Sequence, residues 1–64
     1  MSTSDLAELS TLRAQIDDII ERVVRAAEGY DDSDSSVASD LFAAERALVV
    51  ARRSLDRAVA QLER

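Results

Sequence analysis

The chain has no cysteine, proline, histidine, lysine or tryptophan, and it has one glycine, one tyrosine and one phenylalanine among 64 residues. Each absence excludes something. Without cysteine there is no disulfide framework and no thiol nucleophile. Without histidine or lysine the usual general base and the Schiff-base amine are missing, and a serine cannot be activated by an imidazole of the same chain. Without proline, and with Gly29 as the one glycine, almost nothing interrupts a helix. The opening residues MSTSDLAEL carry neither the basic segment nor the apolar run of a signal peptide, and no stretch is long enough to cross a bilayer. The cytoplasm is the expected compartment.

Thirteen acids against eight arginines give a net charge of −5, which argues against a nucleic-acid partner, since that needs a basic face. The all-arginine basic set, with abundant Ala and Val, fits a GC-rich bacterial genome. Apolar residues make up 47% and charged residues 33% of the chain, a composition that folds rather than one that stays disordered. Sixty-four residues make one domain at most.

The pattern predicts an all-α fold, an antiparallel helical hairpin within a single domain covering residues 1–64. The first helix is expected over about 5–28, with Ser4 or Asp5 as N-cap and Asp5 and Glu8 as a variant capping box. Gly29 follows as a residue able to take the left-handed conformation at the C-terminal cap, with Tyr30 packing back on the last turn. An acidic loop covers 29–35, and the second helix runs over about 36–62.

Both helices carry an alternating three–four repeat of apolar residues. In the first these are Leu9, Leu12, Ile16, Ile19, Val23 and Ala26; in the second they are Val37, Leu41, Ala44, Leu48, Ala51, Leu55, Ala58 and Leu62. This is the pattern of a coiled-coil seam. Strict alternation of Leu with Ala in the second helix predicts close backbone approach. Charge agrees, because the first helix sums to −3 and the chain from Leu41 onward to +2.

One hairpin does not use all the apolar surface. Leu6 and Val24 lie on one margin of the first helix's stripe, Ile19 and Ala26 on the other, so the stripe is wider than a two-helix seam. Phe42, Val49, Val50 and Ala60 fall outside the second helix's seam and form a candidate second interface. A chain this small, with no disulfide or evident metal, gains its missing burial through association. The expectation is a homodimer forming a four-helix bundle, with a larger protein as a further partner.

Candidate chemistry is sparse. Asp31, Asp32 and Asp34 invite comparison with a calcium-binding EF-hand loop, with Asp32 at position 1, Asp34 at 3 and Ser36 at 5. Val37 then stands where glycine is needed and Ala43 where a bidentate Glu is needed, so the loop reads as a solvated cap. No metal, cofactor or catalytic residue is expected. Asp17 and Asp18, like Arg52 and Arg53, diverge by about 100° on a helix and read as exposed ion-pair partners.

The segment LSTLRAQIDDI, Leu9 to Ile19, resembles the start of the helical chorismate mutases, whose first helix reads roughly L-x-x-L-R-x-x-I-D-x-I-D. Leu9, Leu12, Arg13, Ile16, Asp17 and Ile19 carry the match. The resemblance implies that Arg13 would hold a substrate carboxylate. The family's second Asp falls on Ile20, its later arginine on Gly29, and its lysine has no counterpart. Secreted helical hairpins of the WXG type are a second comparison, but Gly29 lacks the tryptophan of that turn. The reading is therefore a non-catalytic interaction module: adaptor, regulator or small subunit. Its alternative is a reduced chorismate-mutase-like bundle acting on an anionic substrate through Arg residues.

Overall fold

A computed structural model describes residues 3–30 and 35–63. It contains two helices, α1 (Thr3–Glu28) and α2 (Ser35–Leu62), packed against each other as a hairpin. No strand occurs among the described residues. The hairpin is a rod of 50 × 14 × 10 Å with a radius of gyration of 15.0 Å, against about 11 Å for a globular chain of this length. Such a shape has a long seam and little interior.

α1 begins two residues before the expected start, so Asp5 lies inside its first turn. There the carboxylate faces the positive end of the helix dipole, and Arg25 sits in the last turn at the negative end. At the other end Gly29 does not take the left-handed conformation, since no described residue has positive φ. Its N–H donates to the carbonyls of Arg25 and Ala26, both at 3.2 Å, and the Tyr30 N–H donates to Ala27 at 3.1 Å. The helix thus ends by tightening its last turn, a common way to use the final carbonyls. Tyr30 stays exposed rather than packing back. α2 starts one residue early and ends at Leu62. The acidic residues Asp31, Asp32 and Asp34, considered above as metal ligands, lie outside the described residues.

Among the described residues, two ion pairs join the helices and set their register. Arg13 reaches Asp56 at 3.5 Å, and Arg52 reaches Asp17 at 3.2 Å. Each step up α1 is matched by a step down α2, so the packing is antiparallel. All four side chains are more than a third exposed, so these pairs orient the hairpin more than they stabilise it.

The positions that turn inward also recur in steps of three and four. On α1 they are Leu6, Leu9, Arg13, Ile16, Ile20, Val23 and Ala27; on α2 they are Ala38, Leu41, Glu45, Leu48, Arg52, Leu55, Val59 and Leu62, with Ser10, Val24, Val37, Val49 and Ala58 half-buried at the margins. Among the described residues only Ala27 and Val59, at 1% and 3% exposure, are buried. The rest are half-buried because each helix has a neighbour on one side only.

Candidate interaction faces

The inward set shares one half with the seam read from the sequence. Leu9, Ile16 and Val23 on α1 and Leu41, Leu48, Leu55 and Leu62 on α2 are half-buried. The other half is different. Leu12 (39% exposed), Ile19 (44%) and Ala26 are open on α1, and Ala44 and Ala51 are open on α2, with Ala58 half-buried. Their places are taken by Leu6, Arg13, Ile20 and Ala27, and by Ala38, Glu45, Arg52 and Val59.

The physical reason lies in the width of the stripe. Both pairs of rows contain the Leu9 and Leu41 series; the alternative second rows lie about 100° apart, so a turn of about 50° of each helix exchanges one for the other. Turning toward Ile20 and Val59 half-buries the first and buries the second. It also brings Arg13 and Arg52 to the seam margin, where their stems can cover apolar surface while their heads reach Asp56 and Asp17. The close Leu/Ala seam is therefore not the intrachain seam. Two of its alanines, Ala44 and Ala51, are exposed.

It helps to label the seven-residue repeat a to g, with Leu9 and Leu48 at d. The intrachain seam then uses d and a. Ser10, Asp17, Val24, Phe42, Val49 and Asp56 occupy e; Asp5, Leu12, Ile19, Ala26, Val37, Ala44, Ala51 and Ala58 occupy g. In an antiparallel pair, like positions lie on the same side of the rod. Both interhelix ion pairs join an a residue to an e residue, which makes the e side the charged one. The g side carries a shallow open groove of about 270 Å³ lined by Ile19, Arg22, Val23, Ala26 and Leu41.

The remaining sequence candidates are spread out. Phe42 (37% exposed) is on the e side with half-buried Val49, whereas Val50 (60%) points straight away from the seam, and Ala60 is exposed between these directions. They do not form one patch. Around Val50, Arg46, Val49 and Arg53 line a shallow depression with Glu45.

The Arg13 guanidinium and the Thr11 and Ser54 hydroxyls, groups that could carry chemistry, have partners within the hairpin. Arg13 is engaged by Asp56 and lies on the seam rather than in a cleft. The Ser54 hydroxyl donates to the Val50 carbonyl at 3.4 Å and accepts from Arg57 at 3.0 Å. The Thr11 hydroxyl donates to the Ala7 carbonyl at 3.0 Å. These hydroxyls are used within their own helices. Among the described residues no three Asp, Glu, His or Cys side chains gather closely enough to hold a metal ion, and no helix is long and apolar enough to cross a membrane. Protein-family models, curated proteins and solved structures yield no match to this chain.

Proposed function

We propose that this chain is a small, non-catalytic, cytoplasmic interaction module: a coiled-coil hairpin that self-associates into a four-helix bundle and presents a helix face to a larger protein, as adaptor, regulator or small subunit. One observation carries the reading. Among the described residues just two side chains, Ala27 and Val59, are buried, while Leu12, Ile19, Phe42 and Val50 are exposed.

The surface area supports it. The hairpin exposes 4671 Å² at 7.0 kDa, about 600 Å² more than a folded monomer of that mass ordinarily shows. Each partner in a standard protein–protein interface covers roughly 800 Å². Covering one face of the rod would thus bring the chain to ordinary values.

The larger partner would be engaged in helix-in-groove fashion, with apolar anchors at helical spacing. Phe42, the one aromatic on a helix, is the anchor of choice because aromatic side chains dominate such contacts. Sedimentation equilibrium of the purified chain at micromolar concentration tests the self-association, with a mass of two chains expected. A single chain that melts cooperatively at every concentration would defeat it. For the second contact, Phe42→Ala should leave helicity nearly unchanged and weaken binding to a protein co-purifying from native lysate; unchanged binding removes Phe42 from that role.

A further inference from the structure

Resting on that self-association, we infer that the partner on the g side is a second copy of this chain, rotated by a two-fold axis parallel to the rod so that α1 of each copy lies over α2 of the other. Apart from Asp5 in the first turn, every g position is apolar: Leu12, Ile19 and Ala26 on α1, and Val37, Ala44, Ala51 and Ala58 on α2. A hairpin that stood alone would carry charge at both flanks of its seam. Helices that face a bundle core instead add one flank, e or g, to a and d. Here the e flank carries the ion pairs Arg13–Asp56 and Arg52–Asp17. Beyond Asp5, the g flank of the two helices carries no charged residue.

The size of the side chains selects the arrangement. The ion-pair register puts Leu12 level with Arg57, Ile19 with Val50 and Ala26 with Ala43, so Ala58, Ala51 and Ala44 stand within one residue of those heights. A rotation about an axis along the rod changes no residue's height. It therefore sets Leu12 and Ile19 of one copy against Ala58 and Ala51 of the other, large against small at each level. Turning the second copy end over end would instead stack alanine on alanine along α2 and leucine or isoleucine on each other along α1. The two helix pairs would then demand different separations, within the roughly 8–10 Å range that side-chain size sets.

Charge does not oppose this arrangement. The residues bordering the g row are Glu8, Gln15 and Arg22 on α1, and Asp40, Ala47, Ser54 and Gln61 on α2. At equal height Glu8 meets Gln61, Gln15 meets Ser54 and Arg22 meets Ala47, so no like charges are opposed. Arg22 is also drawn back along its own helix by Asp18 at 3.7 Å.

The test uses the full chain, and the absence of cysteine makes introduced thiols unambiguous. Ile19→Asp should weaken dimerisation by at least about 100-fold in sedimentation equilibrium, because it would bury an unpaired carboxylate. Val50→Asp, a change of similar charge on the far side of α2, should alter it less than about threefold. As a measurement that tolerates an unstable variant, Ile19→Cys and Ala51→Cys chains are mixed and oxidised. The mixed disulfide should make up well over half of the linked product, since bridging needs Cα atoms about 4.4–6.8 Å apart. A product dominated by Ile19→Cys linked to itself would overturn the arrangement. So would dissociation by Val50→Asp but not Ile19→Asp. A dimer that persists in Ile19→Asp defeats only this face, whereas a wild-type chain that never dimerises defeats the self-association as well.

Discussion

Two valines nine residues apart on α2 offer a controlled measurement of what holds the hairpin together. Val59 is 3% exposed and Val50 is 60% exposed. Replacing either by alanine deletes the same two methyl groups and gives the same gain in helix propensity, about 0.5 kcal/mol. At Val59 the deletion removes burial worth roughly 1.6 kcal/mol at 0.8 kcal/mol per carbon, and it adds a cavity cost because the neighbours relax only in part. After the propensity gain, Val59→Ala should lose about 1–2 kcal/mol. For a domain of this size that lowers the melting temperature by roughly 4–16 °C. Val50→Ala recovers nearly the whole propensity gain, since solvent already reaches its methyls, and should be neutral or up to about 0.5 kcal/mol more stable. Circular dichroism at 222 nm, in heat and in urea at a fixed chain concentration, reads both. If the two variants shift by the same amount, the seam does not run through Val59, and the helices are rotated relative to the arrangement described here.

Three further outcomes follow from particular contacts. Gly29→Ala should change stability by no more than about 0.5 kcal/mol, because Gly29 has no positive φ and the methyl gained also restricts the unfolded chain. The added Cβ meets the Ala26 carbonyl oxygen at 3.3 Å, a tight approach that offsets part of that gain; a loss above about 1.5 kcal/mol would mean a left-handed cap after all. A double-mutant cycle on Asp17 and Arg52 should give a coupling of about 0.2–1 kcal/mol that shrinks as salt rises, since both side chains are more than a third exposed. A coupling of several kcal/mol would place that pair in an interior. Glu45→Leu, at a half-buried position on the seam, should raise the urea midpoint by the equivalent of about 1 kcal/mol; a lower midpoint would show that the carboxylate contributes to the fold.

Reading the helices from the sequence needed only local chemistry. Strong helix formers, one glycine and a serine- and aspartate-rich break explain why α1 and α2 fall within two residues of the expected bounds. The cap at Gly29 was less accessible, because glycine permits the left-handed conformation without requiring it, and the last turn found its bonds another way. The ion pairs were legible in residue type and not in partnership. Asp17 and Arg52 are 35 residues apart, and only the register of the hairpin makes them neighbours.

From the order of its residues alone, this protein is committed to two long amphipathic helices whose apolar residues fall in three rows of the repeat of seven, interrupted by Asp5, Arg13, Glu45 and Arg52. That order does not decide which two of the three rows meet inside one chain. A seam between two helices accommodates two rows, and every helix here carries a third. Packing made the choice, because turning one way buries Val59 and Ala27 and lets Arg13 and Arg52 lay their stems along the seam and reach acids across it. Turning the other way would have covered Leu12 and Ile19 against a row that on α2 is mostly alanine, and would have left those two arginines without the acids across the seam. The row left over, Leu12, Ile19 and Ala26 beside Ala44 and Ala51, is open because a helix with a single neighbour cannot cover both of its flanks.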